Sequence, residues 1–384
     1  MDHLDTSVEV LSDLVAFPTV SSDSNLAIIE YLADRLDRVG ARVQIQRDAA
    51  GGKANLYATL GPDRAGGILL AGHTDVVPVA DQDWTRDPFV MTTSEGRLYG
   101  RGTCDMKGFI AAAIALAPDF ADQAIIRPIH FAFTYDEETG CLGANELVKH
   151  LANRDDRPAL AIIGEPTQMR LIEGHKGCFE YSTHFCGREG HGSLPDHGVN
   201  AVEYAVRYVA RLLELREELK KRGPSGCRFD PPFSTINVGG LHGGVAHNVI
   251  AGKATVDWEM RPVQTSDADH VKSNLRAYCD DILLPQMQSV WPDASILTDV
   301  IGETVGLEPM DKNAARDLVA ELTGANETDV VSFGTEAGIF QNFGMSALVC
   351  GPGSIEQAHK PDEFLEVDQL AKCIKMLERL GERL

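Results

Sequence analysis

The sequence predicts an α/β domain interrupted by an inserted α+β domain. Three observations carry that expectation. Short continuous apolar runs alternate with helical stretches up to about residue 177, as in a sheet buried on both faces. Strict alternation of apolar and polar residues then takes over, as in a sheet with one wet face. Continuous runs return near the C-terminus, so the first domain is discontinuous: 1–177, then an insert over 178–290, then 291–384.

Two amphipathic helices open the chain. Val8, Leu11, Leu14 and Val15 share a face until Pro18, and Ile28, Ile29, Leu32 and Leu36 stripe the second helix, which stops at Gly40. Ile68–Ala71, Ile129–Thr134 and Leu160–Ile163 have strand length, and an alanine-rich helical stretch, Phe109–Leu116, lies between the first two. In the insert, Phe179, Tyr181, Thr183 and Phe185 alternate with polar neighbours, as do Ala254, Val256, Trp258 and Met260. Between them a long helix has capping-box spacing at Asn200 and Glu203. Its stripe reads Val202, Val206, Val209 and Leu213, and Gly223 ends it. A strand over Ser234–Val238 and a helix over about Asp267–Leu284 extend the insert. Val330–Val331 and Ala347–Cys350 resume the first sheet, and a helix closes the chain.

A chain of 384 residues suits about two domains. Its formal charge of −22 would repel phosphates, which excludes nucleic acid and an anionic membrane surface as partners. No run approaches the ~18 apolar residues of a membrane span. The start, Met1-Asp2-His3-Leu4-Asp5, lacks the basic and apolar regions of a secretory leader, and none of the eight cysteines forms a CxxC pair. These features predict a reduced, cytoplasmic protein.

Chemistry-bearing residues gather where apolar strands run out into loops. Gly72-His73-Thr74-Asp75 follows the first run, and Asp75 is spaced to hold His73 in one tautomer. Asp105 precedes the alanine-rich helix, where an N-cap is an equal reading. Asp136-Glu137-Glu138 follows Thr134-Tyr135; alone, adjacent carboxylates read as a solvated turn. Glu165 follows Ile162–Ile163, and His359 ends the segment that begins at Gly351. In open α/β sheets ligands bind beyond the carboxyl ends of the strands. Jointly, imidazole and carboxylate oxygen without a dedicated thiolate point to zinc, with cobalt or manganese as substitutes.

At these segments the chain resembles the two-zinc amidohydrolases that include desuccinylases, carboxypeptidases and aminoacylases. The resemblance covers Gly72–Pro78, Trp84–Phe89, Leu98–Gly102, Asp105–Gly108, Asp136–Glu138 and Gly164–Pro166. It implies His73, Glu138, Glu165 and His359 as terminal ligands, Asp105 as the bridge between two zinc ions, Glu137 as general base and Asp75 as the carboxylate orienting His73. It also implies that the insert is a ferredoxin-like dimerisation lid, whose His191 reaches the partner subunit's site and whose Asn248 and Arg261 contact substrate. From spacing alone, His191 reads as a solvated loop histidine, and Arg261 equally as half of a surface salt bridge.

A substrate carboxylate would find a bidentate fork in Arg261 and backbone donors around Gly353. Glu336 is a candidate partner for a cationic side chain, or a loop carboxylate, or a partner of Arg261. Asp136–Ala144, Gly334–Ala337 and Ala358–Glu363 look most like the branch that deacetylates N-acetylornithine. The resemblance therefore implies a homodimeric hydrolase of N-acyl amino acids. Desuccinylation, general deacylation and dipeptide cleavage are the alternatives, and a silent metal- or amino-acid-binding homologue is a remote one.

Overall fold

The computed structural model describes residues 2–384, and the chain divides into two compact units. The first runs through Gly174 and resumes over Pro309–Val330 and Thr335–Leu384. Its centre is a sheet of eight strands in the order Arg42–Arg47, Ala54–Leu60, Ile129–Thr134, Gly67–His73, Pro158–Pro166, Ser346–Gly351, Leu171–His175, Thr328–Val331. The apolar runs read from the sequence lie inside these strands. Every residue of Gly67–His73 and of Ile129–Thr134 is buried, which explains why these strands are continuously apolar rather than alternating.

The four strands Ile129–Thr134, Gly67–His73, Pro158–Pro166 and Ser346–Gly351 are mutually parallel neighbours. Their register places His73 beside Thr134, and Gly351 beside Pro166. All four carboxyl ends therefore meet on one edge. The alanine-rich helix, Gly108–Ala115, has no exposed face. Gly164 permits its close approach: a Cβ there would sit 1.9 Å from the Phe109 ring. The opening helices, His3–Val15 and Leu26–Arg38, bury the stripes expected of them except Val8, which is half-buried while Val10 is buried, and Gly40 adopts a left-handed φ of 82° just beyond the second. Each such leucine or isoleucine contributes about 1.5–3 kcal/mol on burial.

The second unit comprises His175–Glu308 with Val331–Gly334. It holds a four-stranded antiparallel sheet in the order Thr235–Gly243, Lys253–Arg261, Cys178–Cys186, Ser295–Thr304. With helices Ala201–Arg222 and Thr265–Tyr278 this gives the β-α-β-β-α-β order of a ferredoxin-like fold. Phe179, Tyr181, Phe185, Val256, Trp258 and Met260 form the core against Leu212 and Leu275, as the alternation predicts.

Two expectations are corrected. The boundary at 290 falls short, because Ser295–Thr304 pairs along Cys178–Cys186 and so belongs to the insert's sheet. That strand carries a bulge between Val300 and Gly302, which breaks the alternation that would have revealed it. The long helix, in turn, buries Ala201, Ala205, Tyr208, Leu212, Leu215 and Leu219, while Val206 is 50% and Leu213 37% exposed. The aromatic core of the sheet takes Ala201, Ala205, Tyr208 and three leucines into contact, with Val202 and Val209 at its margin and Val206 and Leu213 turned outward.

Among the described residues no helix is long and apolar enough to cross a membrane.

Gly164→Ala should lower the urea unfolding free energy by about 1–3 kcal/mol, the usual cost of overpacking. An unchanged midpoint would show that Phe109 yields freely.

Candidate metal centre

The shared carboxyl edge of the parallel strands gathers His73, Glu137, Glu138 and Glu165, and two loops bring Asp105 and His359 to them. His73 is the last residue of its strand and fully buried. Its Nδ1–H donates to the Asp75 carbonyl oxygen at 2.9 Å, which turns Nε2 toward Asp105 Oδ1 at 3.1 Å and Glu165 Oε1 at 3.7 Å. His359, with a left-handed φ of 62°, aims Nε2 at the other Asp105 oxygen, 3.3 Å away, and at Glu138 Oε2, 3.1 Å away. Each oxygen of Asp105 thus faces a different imidazole. Asp105 itself has extended backbone, φ −121° and ψ 95°, in a wound turn ahead of the helix. Its carboxylate is turned into this cluster, which displaces the N-cap reading.

Asp75 approaches His73 in two ways: its carbonyl accepts from Nδ1, and its carboxylate lies 3.6 Å from the same nitrogen. The carboxylate also accepts from Ser21 Oγ at 2.7 Å, from the Glu137 amide at 3.1 Å and from the Glu138 amide at 3.4 Å. Asp75 fixes the backbone that presents the two glutamates. Ser21, for which the sequence offered no signal, supports it.

Charge in the cluster is strongly unbalanced. Burial pushes the Glu137 carboxyl up to about 8, and the nearby Glu138, Asp105 and Asp75 charges add to this against the pull of His73. Burial and the Asp105 charge hold Glu165 well above the carboxylate range. Hydrogen bonds to Asp105 and Glu138 push His359 up to about 10. For Asp105 burial acts upward, but hydrogen bonds to His359 and His73 outweigh it and keep the carboxyl ionised. Glu165 Oε1 is buried without a hydrogen-bond partner. Such an orphaned acceptor, among imidazoles whose second nitrogen already points inward, fits a divalent cation. Donor atoms of His73, Asp105 and Glu138, and again of His73, Glu137 and Glu165, lie within 4.8 Å of one another.

The remaining candidates are placed differently. Glu336 has no exposed surface and accepts from Thr134 Oγ1 at 2.8 Å; burial pushes its carboxyl up to about 7. A carboxylate sealed in this way is not presented to a substrate ammonium group, which corrects that expectation. Gly353 has a φ of 87°, and a Cβ there would meet Cys104 Sγ at 2.6 Å, so only glycine fits the turn. Its carbonyl accepts from Gln168.

In the second unit, His191 and Asn248 are brought together. The Gly190–His191 strand pairs with Val249–Ile250, and the Gly192 amide donates to the Asn248 carbonyl at 2.8 Å. His191 is exposed, with Nδ1 2.7 Å from Ser193 Oγ. Arg261 pairs with Glu259 at 2.8 Å, as the salt-bridge reading allows.

Sequence reasoning also missed several supports. Cys141 Sγ lies 3.5 Å from Glu137 Oε1, and Glu363 holds the Asp105 turn through the Cys104 and Asp105 amides. Glu363 closes the Ala358–Glu363 segment, but only its position beneath the turn reveals what it does.

The pattern of Peptidase family M20/M25/M40 matches residues 69–383. An acetylornithine deacetylase from Shigella sonnei (strain Ss046) is 37% identical over 366 residues, covering 94% of this chain and 92% of that protein. Among solved structures, the M20 family metallo-carboxypeptidase Sso-CP2 from Sulfolobus solfataricus superposes with a TM-score of 0.72 at 19% identity, covering 100% of this chain and 99% of that one. The Bacillus subtilis YXEP protein, a dinuclear metal binding peptidase from the M20 family, gives 0.66 at 14% identity, with 99% and 98% covered. The convergence of two histidines and four carboxylates at one sheet edge therefore occurs in a chain that belongs to Peptidase family M20/M25/M40.

Proposed function

We propose that this chain hydrolyses the amide bond of an N-acyl amino acid, N-acetylornithine in the first instance, to release the carboxylate and the free amine. The observation that carries this reading is Asp105, whose two oxygens each face a separate imidazole in a pocket otherwise crowded with carboxylates. The 37% identity to the Shigella sonnei acetylornithine deacetylase supports the choice of substrate.

In this reading Asp105 joins two cation positions, one completed by His73 and Glu165 and the other by His359 and Glu138. Zinc suits the donor set, with cobalt or manganese as substitutes. When bound there, such ions would polarise the amide carbonyl and acidify the attacking water. Glu137 accepts the proton of the attacking water and delivers it to the departing amine. A carboxylate poised near neutrality suits both halves of that shuttle. Glu138 is engaged by His359, so adjacent glutamates divide the labour: one holds, the other transfers.

His191 donates to the developing oxyanion, from the partner subunit of a homodimer formed through the insert. The exposed Val206, Leu213 and Leu241 support such an interface. Arg261 and Asn248 are the insert's candidates to receive the substrate carboxylate, for which Arg261 must leave Glu259; backbone near Gly353 is a separate candidate. A cytoplasmic site of action is part of the same reading, supported by cysteines scattered without paired spacing.

Turnover should be highest on N-acetylornithine in a panel with N-succinyl-diaminopimelate, N-acetylmethionine and simple dipeptides. Glu137→Gln should lose about 10²–10⁴ of it while metal content stays constant. Preference for another panel member would reassign the substrate, and near-normal turnover would remove Glu137 as base.

Stripped of divalent ions, the protein should lose thermal stability as pH rises. Glu137 is raised from 4.5 to about 8, so its contribution is complete below the lower value and gone above the upper one. Glu138 and Glu165 are raised too and act in the same direction. Melting curves across that window should slope downward in chelator and flatten with added zinc; a flat profile in chelator would refute the charge argument.

Mixing His191→Ala with Glu137→Gln protein should restore part of the activity through hybrid dimers. Absence of rescue, with subunit exchange verified, would assign His191 to its own subunit's site or to none.

A further inference from the structure

Beneath the metal centre lies a second set of buried polar groups that no step of the reaction uses. Glu363 is 1% exposed, and its two oxygens accept four donors. Oε1 takes the amides of Cys104 at 2.9 Å and Asp105 at 3.1 Å; Oε2 takes the Gly102 amide at 3.0 Å and Arg101 Nη1 at 2.7 Å. A carboxylate this deep is tolerated only when its lone pairs are fully engaged. Here three of the four donors are backbone amides of the very turn that presents Asp105.

Arg101 is equally buried, and its guanidinium lies over the Trp84 ring at 5.0 Å. Its Nη2 donates to Gln82 Oε1 at 2.6 Å, and Trp84 Nε1 donates to the same oxygen at 3.1 Å. With its oxygen so occupied, the Gln82 amide has one orientation, and its Nε2 donates to the His359 carbonyl at 2.9 Å. Arg101 Nη1 also reaches the Lys360 carbonyl at 3.3 Å. The chain of contacts therefore runs from the amide of Asp105 through Glu363, Arg101 and Gln82 to the backbone of His359.

We propose that Glu363, Arg101 and Gln82 act as one positioning network that sets the Asp105 carboxylate and the His359 imidazole in register for a shared pair of divalent ions. The proposal rests on the metal-centre reading above and deepens it. Its two ends touch different ligands. Gln82 holds only the His359 side, whereas Glu363 holds the turn bearing the residue common to both cation positions. The left-handed conformation of His359 makes the first contact consequential, because an asymmetric residue in that region is held by its surroundings rather than by its own preference.

Damage should accordingly be graded. Zinc binding to stripped full-length protein would be followed by competition with a chromophoric chelator, with circular dichroism melts as a check on folding. Wild type should take up two ions. Gln82→Leu, which keeps the volume and removes the amide, should weaken one of them about 10–100-fold and leave the other unchanged. Glu363→Gln should weaken both, since its amide group presents N–H to donors that need an acceptor. Glu366→Gln, on the exposed partner of Arg97, is the control and should change neither.

Two wild-type affinities in Gln82→Leu would overturn the proposal, as would equal weakening of both ions. If Glu363→Gln fails to fold, the Gln82→Leu isotherm alone decides. Wild type that binds fewer than two ions would instead bring down the metal-centre reading, a result distinct from loss of the network.

Discussion

Mutual repulsion among buried carboxylates is the constraint on which the rest of this structure depends. Asp105, Glu137, Glu138 and Glu165 share a pocket with only two imidazoles to offset them. At about 4 Å, each like-charged pair costs on the order of 4 kcal/mol at an effective dielectric constant near 20. Without cations the protein answers by protonation: the glutamates are raised, and both histidines are held in the charged form. The pocket is thus built for positive charge, and the scaffold around it keeps the anions from moving apart.

The scaffold does this with backbone more than with side chains. Parallel strands deliver His73, Glu165 and the Glu137–Glu138 pair to one edge at a fixed spacing. Asp75 holds the two glutamate amides, and Glu363 holds those of the Asp105 turn. Lys107, buried one residue before the alanine-rich helix, donates to the carbonyls of Leu14 and Phe17 and so ties that turn to the opening helix. In each case a buried charge is spent on orienting peptide groups, and the ligand side chain follows.

The sheet was legible because its cause is local. A strand buried on both faces has to be apolar throughout, and acids or histidines placed directly after such runs have to emerge at the sheet's edge. The fourth strand of the insert was not legible, since the bulge near Val300 shifts side chains to the other face midway. Nor was the buried face of the long helix. Val206 and Leu213 are more apolar than Ala205, but contact is decided by the shape of the aromatic surface opposite, which a single helix does not record. The same limit hid the supporting residues. Ser21, Gln82 and Glu363 act across 54 to 277 positions of chain, and ordinary polar residues carry no mark of a distant partner. Glu336 shows the converse error: a charged residue with a cationic substrate in view turned out to be sealed beneath the strand ends.

The order in which these residues occur has a consequence for how the protein is made. His73, Asp105, the glutamate pair and Glu165 are all synthesised before the insert, whereas His359 and Glu363 follow it. The inserted unit is nearly continuous, so a growing chain can fold it early. The central parallel array, by contrast, lacks Ser346–Gly351 until the chain beyond the insert has been made. Throughout that interval the acids are present without the loop that organises them. A chain extended only through the insert therefore lacks His359, and in the proposed arrangement the cation position it shares with Glu138 forms only after the second part of the first unit has folded.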